Sequence, residues 1–223
     1  MNKLYGSSLV LSKNPKKLII LLHGYGDYAE NFISLAHLLK IGTKGINFYV
    51  PNAPFSLPQT SLGRQWFNPY PNNIHYDEVG LKEKNLMKNE CKISTELLKK
   101  YIDILCLSNK LLYEDCFLIG FSQGAMIAYE LGIFLKKKLA GCVMLSGRIL
   151  SNYNENDNLF TKTPLLIIHG SDDDIVYPKH FTESCRIAKS NGFCLEKYLV
   201  DNERHNISEK MLQLVQNFLI KYM

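Results

Sequence analysis

Gly120-Phe121-Ser122-Gln123-Gly124 sets a serine between two glycines, where the short apolar run Cys116-Phe117-Leu118-Ile119 gives way to the helix formers Ala125 to Leu131. A strand that turns sharply into a helix through Gly-x-Ser-x-Gly lifts the serine hydroxyl out of a sheet and sets the free N–H groups of the helix start beside it. Side chains at the flanking positions would crowd that turn, so glycine has a steric reason to be there. The chemistry this predicts is nucleophilic attack by Ser122 Oγ. The alternative is an ordinary serine on a glycine-flanked turn, and the strand before and helix after weigh against it.

A serine hydroxyl is a weak nucleophile at neutral pH and needs a base, which in turn needs an orienting acid. The histidines are His23, His37, His75, His169, His180 and His205. His205 lies between the last strand-like run and the last helical run, where a loop can carry it over the serine, and is the predicted base. His169 ends its own strand, which predicts a backbone-bound or packed role. His37 sits on a helical pattern, His75 in an irregular segment and His180 near a helix start. The acid belongs after the strand that follows the serine unit, where Asp172, Asp173 and Asp174 stand in a row. One buried carboxylate suffices to hold the imidazole's tautomer, and position alone does not choose among the three. An oxyanion needs two N–H donors. Gln123, directly after the nucleophile, is expected to supply one, and the turn at Gly24-Tyr25-Gly26, which ends a buried strand, the other; the alternative for that turn is a plain glycine-rich connection.

These groups need a scaffold, and the chain alternates strand-like and helix-like runs. Leu18 to Leu22, Asn47 to Val50, Cys116 to Ile119, Gly141 to Gly147 and Pro164 to Ile168 read as strands, mostly buried on both faces, and Leu195 to Val200 reads as a last strand near an edge. Helical stripes fall on residues 30–40, on 80–107, after the Ser122 turn and on 207–222. This predicts an α/β fold: a mostly parallel sheet covered by helices on both sides. One domain is expected over residues 1–223. Residues 51–76 hold five of the chain's eight prolines and several apolar side chains, and predict an irregular loop near a substrate pocket.

Composition narrows the partners. The net charge of +5 is mild and no basic stripe is interleaved with aromatics, so nucleic-acid binding has no support. The Lys136-Lys137-Lys138 run suits a helix C-terminus. No apolar run reaches the roughly 18 residues of a membrane span, and no signal-peptide core is seen. The six cysteines form no C-x-x-C pair, which fits reduced thiols in a cytoplasmic protein with no metal site.

Leu22-His23-Gly24-Tyr25-Gly26-Asp27, Gly120-Phe121-Ser122-Gln123-Gly124-Ala125 and His169-Gly170-x-x-Asp173 with Val176 and Pro178 together resemble the phospholipase/carboxylesterase family of α/β-hydrolases, in family order and over nearly the whole chain. The resemblance implies Ser122 as nucleophile, Asp173 as orienting acid, His205 as base, and the backbone N–H groups of Tyr25 and Gln123 as the oxyanion hole. Trp66-Phe67 resembles the family's Trp-Phe pair beside the substrate pocket. Three features depart from the pattern: Asp174 stands where the family often has proline, Tyr177 is an extra residue before Pro178, and Asn202 replaces a glycine three residues before the histidine. Asn tolerates left-handed backbone better than most residues.

The activity this implies is hydrolysis of a carboxylic ester or thioester through an acyl-enzyme on Ser122, with no cofactor. Carboxylesterase, lysophospholipase and acyl-protein thioesterase are all open, so the substrate is a small ester, a lipid or an acylated protein. A dienelactone-type hydrolase would want cysteine at position 122, and a peptidase of this fold an extra domain. A catalytically silent binding module is the alternative outside enzymes. The family contains monomers and homodimers.

Overall fold

The structure is a computed structural model that describes residues 3–39, 45–57, 60–74, 78–151 and 159–223. His75 and the Asn-rich segment 152–158 lie outside the described residues.

Strand β1 (Gly6–Val10) precedes β2 (Lys17–Leu22), whose apolar run ends at His23. Two short helices follow, α1 (Ala29–Phe32) and α2 (Ser34–Leu38), then β3 (Ile46–Pro51). The expected single helix over 30–40 is thus two pieces meeting at Ile33, whose N–H closes the first on Ala29. The two pieces bury Phe32, Leu35 and Ala36 of the expected stripe, while Leu38 is exposed.

The segment 51–76 is less irregular than its prolines suggest. It holds a small antiparallel pair, β4 (Phe55–Ser56) with β5 (Arg64–Gln65). Helix α3 (Leu81–Asn109) then leads to β6 (Cys116–Phe121) and α4 (Gln123–Leu135), followed by β7 (Gly141–Leu145) and β8 (Leu165–Gly170). Helix α5 (Pro178–Ser190), β9 (Leu195–Val200) and α6 (Glu209–Tyr222) complete the order. Lys136 caps α4 in a left-handed conformation, so the lysine run does sit at a helix end.

The main sheet runs β1-β3-β2-β6-β7-β8-β9, parallel except for β1, which pairs antiparallel to β3 at one edge. Apolar alternation along the strands divides the interior into two layers. Leu18, Ile20, Leu22, Leu118, Met144 and Ile167 face the side of α3, α4 and α5. Ile19, Leu21, Phe117, Ile119, Val143 and Ile168 face the side of α1, α2 and α6. Strands covered on both faces need apolar residues at every position, which is why β2 reads as a continuous run. Each such Leu or Ile contributes about 1.5–3 kcal/mol by leaving water.

In a parallel sheet all the carboxyl ends open on one rim. Here β2 delivers Gly24 and Tyr25 to that rim, β6 delivers Ser122, β8 delivers Asp173 and β9 delivers His205. Cys91, Cys106, Cys116, Cys142 and Cys185 are buried and Cys194 is exposed, all as free thiols. Among the described residues no helix is long and apolar enough to cross a membrane.

Candidate active site

Ser122 is the N-cap of α4 and holds φ 54°, ψ −118°, a conformation that side-chain-bearing residues avoid. The surroundings leave it no alternative. Its N–H donates to Leu145 O of β7 at 2.8 Å, and its carbonyl accepts from the N–H groups of Ala125 and Met126. A Cβ on Gly120 would lie 2.2 Å from Gly124 O, and one on Gly124 would lie 1.9 Å from Leu22 O of β2. Both glycines are there because backbone occupies the space of a side chain.

His205 Nε2 lies 2.9 Å from Ser122 Oγ, and His205 Nδ1 lies 2.8 Å from Asp173 Oδ2. A carboxylate only accepts, so Nδ1 carries the proton and Nε2 is free to accept from the serine hydroxyl. The imidazole lies against the Phe121 ring, with centroids 4.9 Å apart.

The three aspartates separate cleanly. Asp172 and Asp174 are exposed, one accepting from Ser171 Oγ and the other paired with Arg204. Asp173 is buried, and its Oδ1 accepts from the N–H groups of Ile175 and Val176 at 3.0 and 2.8 Å. Burial opposes its charge, yet hydrogen bonds from His169, His205 and the Val176 N–H hold its carboxyl well below the usual carboxylate range.

His169 is backbone-bound as expected, with Nε2 2.6 Å from Val176 O, but the same nitrogen is 3.3 Å from Asp173 Oδ2. That second role escaped the sequence reading. The signal was the four-residue spacing within His169-Gly170-x-x-Asp173.

His23, the other histidine at a strand end, faces away from this chemistry. Its Nδ1 is 2.8 Å from Gly24 O and its Nε2 accepts from the Ala53 N–H at 3.1 Å. Burial pushes its pKa below the ordinary histidine value, so the ring is neutral.

The backbone N–H groups of Tyr25 and Gln123 have no hydrogen-bond acceptor among the described residues. Gln123 opens α4, where the first N–H groups of a helix lack intrahelical partners. Gly24 lies beside the serine turn, where a Cβ would make ordinary van der Waals contact with Phe121 Cδ1 at 3.4 Å and Ser122 Cβ at 3.5 Å.

A cavity of about 280 Å³ opens beside Ser122 and His205. Tyr25, Phe67, Tyr70, Met126, Val176 and Tyr177 are among the residues that line it. Phe67 contributes to the cavity lining, whereas its neighbour Trp66 is fully buried and does not line it. The reason is a set of hydrogen bonds, from Trp66 Nε1 to His23 O at 2.9 Å and from the Trp66 N–H to Gln123 Oε1 at 2.8 Å. Tyr70 belongs to the 51–76 loop expected near the pocket, whereas no sequence signal marks Met126 and Val176 as lining residues, because only the fold brings them there. Among the described residues no group of three or more His, Cys, Asp or Glu side chains is arranged to hold a metal.

The profile of the Phospholipase/Carboxylesterase family matches residues 9–223. The chain belongs to that family. Acyl-protein thioesterase 1 of Candida albicans is 29% identical over 92% of this chain and 92% of its own length. The carboxylesterase SOBER1 of Arabidopsis thaliana is 25% identical over 92% and 90% of the two lengths. Among solved structures, esterase PE8 superposes with a TM-score of 0.86 at 26% identity, covering 99% of this chain and all of that one. The Bacillus cereus carboxylesterase shares the fold, with a TM-score of 0.78 at 16% identity over 99% of this chain and 95% of that one. As a member of this family the chain is an α/β-hydrolase, and the mostly parallel sheet read from the sequence is its central sheet.

Proposed function

We propose that this chain hydrolyses carboxylic esters or thioesters, with Ser122 as nucleophile, His205 as general base and acid, and Asp173 as the group that orients the imidazole. The observation that carries the reading is the unbroken line of hydrogen bonds from Ser122 Oγ through both nitrogens of His205 to Asp173.

Ser122 Oγ attacks the acyl carbon while its proton passes to His205 Nε2. The carbonyl π bond becomes a negatively charged oxygen, held by the N–H groups of Tyr25 and Gln123. As the tetrahedral intermediate collapses, the C–O or C–S bond breaks and His205 gives its proton to the departing alcohol or thiol. Water then attacks the acyl-enzyme, with His205 again taking the proton, and the acid leaves with Ser122 restored. Asp173 stays ionised throughout and stabilises the imidazolium that forms twice per cycle. No cofactor takes part.

Names among the relatives suggest an acyl-protein thioesterase, and a lysophospholipase fits the family equally. The cavity of about 280 Å³ sits near the lower bound of the roughly 300–1,000 Å³ typical of ligand pockets, which favours an acyl group of short to medium length. Phe67 is its apolar wall. Trp66, assigned by resemblance to substrate binding, reaches the pocket only through its neighbours. The reading further takes residues 1–223 as one domain, with the protein in the cytoplasm as a monomer or homodimer.

Turnover of p-nitrophenyl esters and matching thioesters of increasing chain length, with fluorophosphonate labelling, tests the reading. Ser122→Ala is expected to lose labelling and at least about 10³-fold in kcat. Full activity in that variant overturns the mechanism. Absence of turnover and labelling in the native protein favours the silent binding module.

A further inference from the structure

We propose that residues 64–67 form a strap that sets the spacing between the two oxyanion donors, with Trp66 as its positioning residue. The inference rests on the proposed role of the Tyr25 and Gln123 N–H groups.

The two donors come from different parts of the chain. Tyr25 follows β2, and Gln123 opens α4 after β6. The pairing of β2 with β6, with Leu22 opposite Gly120, brings the two strand ends together, but both donors lie past the paired residues, and an oxyanion hole needs both about 2.7–3.1 Å from one oxygen position. The strap touches both sides. Toward the Tyr25 turn, Arg64 O accepts from the Gly26 N–H at 2.8 Å, and the Arg64 N–H donates to Asp27 O at 3.0 Å. Trp66 Nε1 donates to His23 O at 2.9 Å, two residues before Tyr25. The indole also lies against the His23 ring, with centroids 5.3 Å apart.

Toward α4, the side chain of Gln123 uses both ends of its amide. Its Oε1 accepts from the Trp66 N–H at 2.8 Å, and its Nε2 donates to Phe67 O at 2.8 Å. Ser94 Oγ of α3 donates to Trp66 O and fixes the strap from behind. One residue, Trp66, is therefore bonded through its backbone to the residue that carries one donor and through its indole to the turn that carries the other.

These bonds are buried, since Trp66 and His23 are fully enclosed and Gln123 nearly so. An unmade bond there leaves an unsatisfied buried group, and the cheapest relief is a shift of the Gly24–Gly26 turn. A shift that keeps the acyl pocket but moves one donor lowers transition-state stabilisation without weakening ground-state binding. That gives the strap a kinetic signature distinct from a pocket wall, which acts on KM, and from a core residue, which acts on thermal stability.

Trp66 is the chain's single tryptophan, so biosynthetic replacement by 3-benzothienylalanine alters this site alone. The analogue keeps the shape of the ring and replaces its N–H with sulfur. The expected result is a fall in kcat of about 10-fold, KM within about 2-fold, and a matching 10-fold weaker inhibition by an alkylboronic acid that mimics the tetrahedral state. Gln123→Met, which keeps the backbone N–H and removes both amide bonds, is expected to give the same split.

The two changes combined are expected to cost less than the product of their separate effects, because they break the same link. Gln123→Met carries the test if the analogue-labelled protein fails to fold. The inference is overturned if kcat and boronate affinity stay within about 2-fold of the native protein in the folded variants, or if the loss falls on KM or on melting temperature alone. An active native enzyme with an unaffected strap variant sinks this inference only, whereas an active Ser122→Ala protein sinks the underlying mechanism.

Discussion

The two halves of the candidate active site are held in place by different kinds of force. On the β6 side, Ser122 is fixed by backbone: its strained φ/ψ, the N–H given to Leu145 O, and two glycines pressed against main-chain carbonyls. On the β8 and β9 side, Asp173 and His205 are fixed by side chains: a carboxylate that accepts from two backbone N–H groups and two imidazoles, and an imidazole bonded at both nitrogens. The division follows the chemistry. In the proposed mechanism the nucleophile must sit still in an unfavourable conformation, which sterics enforce well. The proposed acid–base pair must hold a proton in a defined tautomer and let it move, which hydrogen bonds do and sterics cannot.

The contrast breaks most visibly where a change removes hydrogen-bonding character and leaves shape intact. Asp173→Asn keeps the volume but offers an N–H₂ or a neutral oxygen to His205, so the imidazole loses the partner that fixes its tautomer. The expected loss is about 10⁴-fold in kcat, close to 5.5 kcal/mol of transition-state stabilisation, with the fold retained. Steady-state kinetics beside a circular-dichroism melt checks both halves of that statement. A loss of less than about 10-fold would place the orienting role elsewhere.

The serine side is expected to break the other way, through stability. Gly124→Ala puts a Cβ 1.9 Å from Leu22 O, a backbone atom that cannot rotate aside. Overpacking of this kind costs about 1–3 kcal/mol and more where backbone has to move, so a lower urea midpoint should accompany the loss of labelling at Ser122. A variant with native stability and native labelling would show that the turn has slack.

The same division explains what could be read from the sequence. The serine turn is local: five residues, an apolar run before and a helical run after state its geometry, and Gly120 and Gly124 carry the steric reason on their faces. The proposed acid–base pair is not local. Asp173 and His205 are 32 residues apart and His205 and Ser122 are 83 apart, so their meeting depends on β8 and β9 being neighbours at one end of the sheet. Strand periodicity supplied the loop ends but left three candidate aspartates, and it takes the fold to separate Asp173, buried and bonded to His205, from its exposed neighbours. Strand β1 was missed because its residues alternate between exposed and half-buried at an edge and make no apolar run. Trp66 was placed in the pocket by resemblance, while its indole and backbone bonds run to residues 43 and 57 positions away, which no local pattern encodes.

Acid sharpens the comparison at smaller cost. His23 supports the Tyr25 turn as a neutral ring, with its folded pKa lowered by burial. As pH falls below about 6.5, the unfolded chain binds a proton at this residue that the folded chain does not, so stability declines by up to about 1.4 kcal/mol per pH unit until the folded value is reached. Asp173 has a lowered folded pKa for another reason, its hydrogen bonds, and its contribution is fully present above the unfolded value near 4 and is lost as pH falls below that. Urea midpoints measured from pH 8 to 3.5 are expected to fall in these two windows, and His23→Gln should flatten the upper one. An unchanged upper slope in that variant would assign the decline to other groups.

The smallest effect is expected at Asn202, where the His205 loop meets a backbone demand of its own. Asn202 has φ 60°, and its N–H donates to Ser171 Oγ at 2.9 Å, joining the loop after β9 to the end of β8. The left-handed conformation costs most residues about 1–2 kcal/mol and glycine almost nothing. Asn202→Gly should therefore leave stability within about 0.5 kcal/mol, the relief of φ being offset by a freer unfolded chain, whereas Asn202→Ala should lose about 1 kcal/mol. Activity should hold in both, because His205 is fixed by Asp173 and Ser122 rather than by this turn. If Asn202→Ala instead lowers kcat without lowering the urea midpoint, the side-chain half of the site depends on backbone strain after all, and the two halves are held more alike than their hydrogen bonds suggest.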